Sequence, residues 1–159
     1  DLDNLFSYMA AVNFSGHWDS LLSNANNDYL YFNPAIPSSF GGKWQIAVWD
    51  LDNTFGAGTK DHEKSNYLDF DVRTHSKLFD FVMTNAELRD QYTKKYRELY
   101  ANMHIDKWQS MLNRLESRIH DSIQNTWEAD VNIDYHAATN YLRYWLTTRH
   151  NAISNSLTK

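Results

Sequence analysis

Cysteine is absent from the 159 residues, and its absence is the first constraint on the protein. Without thiols the chain has no disulfide framework and no thiolate metal site. The absence fits an oxidising space and the cytosol equally well, so it assigns no compartment.

Long apolar runs and basic clusters are also missing from the sequence. No stretch approaches the roughly 18 apolar residues of a membrane span, and no basic segment followed by an apolar one marks a signal peptide. Lys and Arg are scattered and the formal net charge is −5, so we expect no nucleic-acid partner and no acidic membrane. The chain opens on Asp1 without a methionine, which we interpret as a segment cut from a longer protein.

Aromatic residues are plentiful, at 15% of the chain. A domain of this length buries roughly two thirds of the surface of its unfolded chain. We therefore predict a single domain over 1–159, with most of the large aromatic side chains in its core.

The N-terminal half has mixed structure. Apolar residues at intervals of three and four predict a helix over 4–14, capped by Asp3 or Asn4. Two aromatic, β-branched segments separated by Pro and Gly predict a hairpin with a long tip. We expect a loop over 15–28 with one helical turn at 20–22, strands over 29–32 and 43–49, and a second loop over 56–71.

The C-terminal half reads as a helical scaffold, which makes the fold class α+β. Thr84 and Glu87 have the spacing of a capping box before the second of its helices. The predicted helices are 76–83, 87–102, 106 to about 127, and 134–157. One face of the third stays apolar, through Leu112, Leu115, Ile119 and Ile123.

The first loop contains the spacing of a protein-kinase catalytic loop, with His17 and Asp19 followed by Asn24. In such a loop the Asp accepts or orients the proton of the substrate hydroxyl, and an Asn five positions later holds a metal. Asp and Asn are also common turn residues, so the spacing alone leaves both interpretations open.

A second carboxylate, Asp50, follows the second predicted strand, with Phe55 and Gly56 close behind. Kinases place a metal-binding Asp after a strand in an Asp-Phe-Gly turn that directs it towards nucleotide phosphates. Carboxylate and amide oxygens suit Mg²⁺, and a metal bound to phosphates takes one or two carboxylates from the protein. Asp50 is the best candidate ligand, and Asp52 is either a second ligand or a turn cap.

Several short motifs occur in one order along the chain. They are Asp1-Leu2-Asp3-Asn4, Trp18-Asp19-Ser20, Asn24-Ala25-Asn26-Asn27, Tyr29-Leu30-Tyr31, Gly42-Lys43-Trp44, Trp49-Asp50-Leu51-Asp52 and Phe55-Gly56. In this order they resemble the CotH kinase family, which is named for a spore coat protein. The resemblance extends over the whole chain and is most specific in the hairpin motifs.

Members of this family are atypical protein kinases, secreted or spore-associated, that transfer the γ-phosphoryl group of ATP to protein serine. The resemblance implies a reduced kinase-like fold, here mainly the helical C-terminal lobe with a small β-hairpin. It makes Asp19 the catalytic-loop aspartate and Asp50 the ligand of Mg²⁺ and ATP. The metal-binding asparagine is Asn24 by its count from Asp19, or Asn27 by its place before the strand.

The same resemblance implies partners and a location. The chain supplies neither the Gly-rich loop nor the strand lysine that holds nucleotide phosphates. We therefore expect the missing N-terminal part of the same domain as one partner and an unknown protein substrate as another. The segment alone should be inactive, and the whole protein should be secreted, cell-surface or spore-associated.

Two other classes of function are open from the sequence. Residues 46–55 also resemble the first motif of haloacid-dehalogenase-like phosphatases, with Asp50 as nucleophile and Asp52 as acid or base. Those enzymes need a doubly wound parallel sheet, whereas this chain continues into a loop and helices. A kinase-like binding module without catalysis is the other class, and its mark would be solvent exposure of Trp18, Trp44 and Trp127.

Histidines offer no further metal site. The residues His62, His75, His104, His120, His136 and His150 lack the paired helical spacing that would bring two to one ion. His17 stands where a kinase loop has a bracing histidine.

Overall fold

A computed structural model describes residues 1–23, 25–57, 76–124 and 134–158. Within them the chain forms five helices and one two-stranded antiparallel sheet, which confirms the α+β class. The elements are α1 Leu2–Ser15, β1 Asp28–Asn33, β2 Lys43–Val48, a 3₁₀ turn Leu51–Asn53, α2 Lys77–Thr84, α3 Ala86–Ala101, α4 Ile105–Gln124 and α5 Tyr135–Leu157. None of the described helices is long and apolar enough to cross a membrane.

The start of α1 differs from the expectation. Asp1, rather than Asp3 or Asn4, caps the helix by accepting the backbone N–H of Asn4 at 3.2 Å. Asp3 instead forms an ion pair with Lys95 of α3. The side chain of Asn4 accepts the Ile46 N–H at 2.7 Å and donates to the Ile46 carbonyl at 3.3 Å. These tertiary partners compete with local capping. The bonds of Asn4 fix α1 against the outer edge of β2, and the ion pair of Asp3 joins α1 to α3.

The ribbon pairs β1 and β2 over six residues each, from Asp28 opposite Val48 to Asn33 opposite Lys43. β1 extends one residue beyond each end of the predicted 29–32, and β2 ends one residue before the end of the predicted 43–49. Because only the edge of β2 rests on α1, much of the ribbon surface faces solvent. Its exposed large residues are Tyr29, Leu30, Tyr31, Phe32, Trp44 and Val48.

The core lies among α1, α2, α3 and α5. Met9 of α1 and Trp145 of α5 are fully buried, and Tyr92 and Tyr96 of α3 contact each other edge to face with ring centroids 5.9 Å apart. Large aromatic residues do build this core, as predicted. The prediction that most of the rings are buried was too broad. Exposed rings lie on the ribbon, where β1 has no second layer packed on it among the described residues, and also on α2 and α5, at Phe81, Tyr141 and Tyr144.

The helical half follows the predicted boundaries within two residues where it is described. The capping box is wrong in detail: Asn85 caps α3 by accepting from Leu88 N–H, while the Thr84 hydroxyl donates back to the Asp80 carbonyl. On α4 the apolar face is present, but Leu112 is buried and its other described members are exposed or half-buried. The predicted end of that helix near 127, and the loop over 56–71 from residue 58 onward, lie outside the described residues.

Candidate functional site

The loop that carries Asp19 leaves α1 through a Schellman motif. Gly16 adopts φ 63°, and the N–H groups of Gly16 and His17 donate to the carbonyls of Asn13 and Val12 at 3.2 and 3.1 Å. The buried guanidinium of Arg149 from α5 donates to the Asn13 carbonyl at 2.7 Å and to its side-chain oxygen at 2.9 Å. The positive charge of Arg149 also interacts favourably with the negative end of the α1 helix dipole. The point at which the chain leaves α1 and enters the loop is therefore fixed by the buried core.

Asp19 lies at the centre of a small amide cluster. Its carboxylate accepts the Nδ2–H of Asn27 at 2.8 Å and that of Asn26 at 3.3 Å. Ala25 and Asn27 both have φ 55°, a left-handed conformation that turns the chain sharply just before β1. The turn brings the amides back onto Asp19, so the orientation of the carboxylate is set by these two donors.

Asn27 also joins this cluster to the far strand. Its carbonyl accepts the N–H of Trp49 at 2.9 Å, which extends the ribbon by one pair beyond β1 and β2. Asp50 comes next and is itself left-handed at φ 50°. Asp19, Asn27 and Asp50 are thus brought to the same end of the ribbon.

The two exposed carboxylates of this turn differ in their setting. Asp50 lies directly beyond the last hydrogen-bonded pair, whereas Asp52 lies within the 3₁₀ turn. Neither carboxylate has a hydrogen bond or an ion pair within the described part of the chain. Asn24, the other candidate asparagine, lies outside the described residues.

The turn after Asp50 lies alongside the loop that carries Asp19. Three hydrogen bonds join them: Phe55 N–H to the Ser15 carbonyl at 2.7 Å, His17 Nδ1 with the Asn53 carbonyl at 3.4 Å, and Trp18 Nε1–H to the Ala57 carbonyl at 3.1 Å. His17 is fully buried in this contact, so it braces the two loops as its position in the motif suggested. The two acidic loops therefore form one structural unit.

Phe55 anchors this unit to the helices. Its ring lies edge to face against Trp145, with centroids 5.4 Å apart, and against Trp108 at 6.0 Å. Its backbone has φ 52°, an uncommon conformation for a bulky residue. Packing of the ring between two tryptophans provides the free energy that holds this backbone in place.

Asp28 is a site-supporting residue that sequence reasoning missed. Its Oδ2 accepts the Tyr8 hydroxyl at 2.8 Å and the Leu21 N–H at 2.6 Å, so it ties the loop to α1. Burial raises the pKa of Asp28, and burial together with Asp28 raises the pKa of Tyr8. Tyr8 and Asp28 are 20 residues apart, and no local pattern announces their contact.

The donor set at the end of the ribbon fits a hard divalent cation. Among the described residues no group of three or more His, Asp or Glu side chains is placed to hold a metal. A cation that also binds phosphate needs only one or two carboxylates, however, and prefers oxygen ligands. Asp50 offers a free carboxylate, and Asn27 keeps its amide oxygen because its Nδ2 is bound to Asp19.

The geometry also bears on the two alternative classes. The described part of the chain has an antiparallel ribbon rather than the parallel sheet that the phosphatase interpretation requires, so it gives that interpretation no support. Trp44 is 56% exposed, as a binding module would require. Trp18 is half-buried and donates to a backbone carbonyl, and Trp127 lies outside the described residues.

Comparison with known proteins gives one match. A protein-family model described as CotH kinase protein matches residues 1–153, nearly the whole chain. No curated protein and no solved structure matches it.

Proposed function

The chain belongs to the CotH kinase protein family, and we propose that it is the part of an atypical protein kinase that carries the catalytic-loop aspartate and the metal-binding aspartate. The reaction is transfer of the γ-phosphoryl group of ATP to a serine or threonine hydroxyl of a protein. The fold in this proposal is a reduced kinase-like fold, represented here mainly by its helical C-terminal lobe.

One observation carries the proposal. Asn27 donates its side-chain amide to Asp19 and accepts the N–H of Trp49 on its carbonyl, so a single residue links the catalytic-loop aspartate to the strand that ends at Asp50. Residues far apart in sequence thereby meet at one end of the ribbon. Phosphoryl transfer depends mainly on positioning and on neutralising charge, and this arrangement supplies the positioned groups.

Each residue has a distinct role in the proposal. Asp19, held by the amides of Asn26 and Asn27, accepts or orients the proton of the attacking hydroxyl. Asp50 and the amide oxygen of Asn27 would hold Mg²⁺. Asn24 is the other candidate asparagine, and Asp52 is a candidate for a further ligand. The bound ion supplies neutralisation of charge on the phosphate oxygens of ATP.

Two measurements on the purified parent protein, with the preceding part of the domain included, test these roles. The first is Mg²⁺-ATP binding, followed as a shift in melting temperature, and the second is transfer of labelled γ-phosphate to the protein itself and to casein. Asp50→Ala should lose both. Asp19→Ala should keep Mg²⁺-ATP binding and lose transfer, because a group that handles the hydroxyl proton acts after nucleotide binding.

A matched control is available on the surface of α3. Asp90 is an exposed aspartate remote from the ribbon in sequence, and Asp90→Ala should change neither measurement. Transfer that survives both Asp19→Ala and Asp50→Ala would refute the proposal. A phospho-aspartate on Asp50 that disappears in Asp52→Ala would instead favour the phosphatase chemistry.

A second candidate function is a catalytically inactive kinase-like binding module. It is favoured by the solvent-exposed rings of the ribbon. The two tryptophans among them have the largest side chains, and Trp44 is 56% and Trp49 60% exposed. Such rings make strong contact surfaces at interfaces. A protein that binds no Mg²⁺-ATP yet loses capture of a cell-surface protein on Trp44→Ala would support this candidate over the kinase.

Family membership also suggests where the protein acts and with what. We propose that it is secreted, on the cell surface or associated with spores. We also propose that a preceding part of the same domain completes the nucleotide site. Fractionation of cells and spores tests the location. Mg²⁺-ATP binding compared with and without the preceding segment tests the partner.

A further inference from the structure

A cavity of about 200 Å³ lies directly beneath the turn that carries Asp50. Four parts of the fold line it: the C-terminal half of α1, the end of β2, the 3₁₀ turn with the residues that follow it, and the chain from the α3–α4 connection into the start of α4. The described side chains that form most of its wall are Val12, Phe14, Leu51, Phe55, Met103 and Trp108. We propose that this cavity binds a small, uncharged, apolar molecule of about one aromatic ring.

The lining decides the chemical class of the ligand. Of the described residues in the wall, only Ser15 and Thr54 carry hydroxyl groups, and both are already engaged. The Ser15 hydroxyl donates to the Val12 carbonyl at 3.2 Å and the Thr54 hydroxyl to the Leu51 carbonyl at 2.7 Å. None of the described residues in the wall is charged, so among them an ion or a polar ligand would lose its hydration without compensation.

The size decides how large the ligand is. An apolar cavity of roughly 150 Å³ lined by aliphatic and aromatic side chains stays dry and binds benzene. The present cavity is somewhat larger and opens to solvent beside Leu51, which is 53% exposed. A single ring with a short substituent therefore fits, and it has an entry path.

Occupancy of the cavity has a consequence for the proposed function, and this step rests on that function. Leu51 and Phe55 flank the turn that follows Asp50, and both lose contact with neighbouring atoms on the side of the cavity. A ring in the cavity would restore those contacts and favour the described conformation of the turn. Mg²⁺-ATP should then bind more tightly, by roughly fivefold if the coupling is of the usual size.

The binding step can be tested with fluorobenzene as the probe. The chain has four methionines, and of these only Met103 lines the cavity. In protein labelled with ¹³C at the methionine methyl groups, the ring current of the probe should shift the Met103 signal and leave the other three in place. Ala11→Phe places a ring at the rim from an exposed position of α1, and it should abolish the shift.

The control is the same substitution elsewhere. Ala138 is an exposed alanine on α5 that does not line the cavity, and Ala138→Phe should leave the Met103 shift unchanged. No shift in the native protein, or an equal shift in Ala11→Phe, would overturn the proposed site. A Met103 shift in a parent protein that, with the preceding part of the domain included, never binds Mg²⁺-ATP would support the cavity and reject the kinase function. Binding of both ligands without any change in Mg²⁺-ATP affinity would overturn the coupling.

Discussion

Gly56 provides a quantitative test of how the turn after Asp50 is built. Its φ is +89°, and a methyl group added at this position would lie 2.6 Å from Cδ1 of Trp145. Trp145 is fully buried and packed by the ring of Phe55, so it has no free space into which to move. Gly56→Ala therefore introduces two separate costs, one in the backbone and one in packing.

The two costs can be separated with a second glycine. Gly41 in the ribbon tip also has a positive φ, +76°, but an added methyl group there would meet no atom within 4 Å. Gly41→Ala should thus cost about 1 kcal/mol for the backbone alone. Gly56→Ala should cost about 2–4 kcal/mol in total, because overpacking a rigid site adds about 1–3 kcal/mol.

The assay is urea unfolding of the two variants and the native protein, followed by circular dichroism. The three curves are fitted with one shared slope of unfolding free energy against urea concentration. For a domain of this size the larger loss corresponds to a fall in melting temperature of roughly 5–15 °C. If Gly56→Ala is no more destabilising than Gly41→Ala, then Trp145 does not pack against this turn as described. The anchoring of the Asp50 turn by the aromatic cluster would then be wrong.

Three further predictions concern the supports of the site. Arg149→Met leaves carbonyls at the end of α1 without their buried donor and should cost about 3–5 kcal/mol in unfolding free energy, against less than about 0.5 kcal/mol for the exposed Arg118→Met. Asn4→Ala removes two hydrogen bonds to the backbone of β2 and should cost about 1–2 kcal/mol in the same urea assay; a neutral result would contradict the docking of the ribbon on α1. Burial raises the pKa of Asp28 in the folded state, so its contribution favours folding at low pH and is lost as the pH rises through the raised pKa. The unfolding free energy of the native protein relative to Asp28→Asn should therefore fall as the pH rises above the ordinary pKa of an aspartate, and a rise would refute the sign.

Local signals in the sequence were enough to predict the elements. The helix over 4–14 and the strands of the ribbon follow from period and residue type, and the structure confirms them within two residues. Caps were less predictable. Asp3, Asn4 and Thr84 are all suitable cap residues, but each has another partner in the folded chain. A cap is worth only about 1 kcal/mol, so one tertiary contact can redirect it.

The candidate site was predictable as a set of residue types and not as a geometry. Asp19 and Asp50 stood out because an Asp in a polar loop and an Asp after a strand each match a known chemical pattern. Their association depends on the pair formed by Asn27 and Trp49, which exists only once the ribbon has its register. Asp28 and Arg149 could not be found from sequence, since their partners are distant along the chain.

The order of residues by itself determined which segments become helix or strand, and which side chains are able to take up a proton or hold a cation. Those properties depend on near neighbours along the chain and on the chemistry of single groups. Only the folded arrangement decided that two acidic loops share one end of the ribbon and that an apolar cavity lies beneath one of them. Such features come from contacts between segments that are far apart in sequence, where burial and hydrogen bonding between distant groups outweigh local preference.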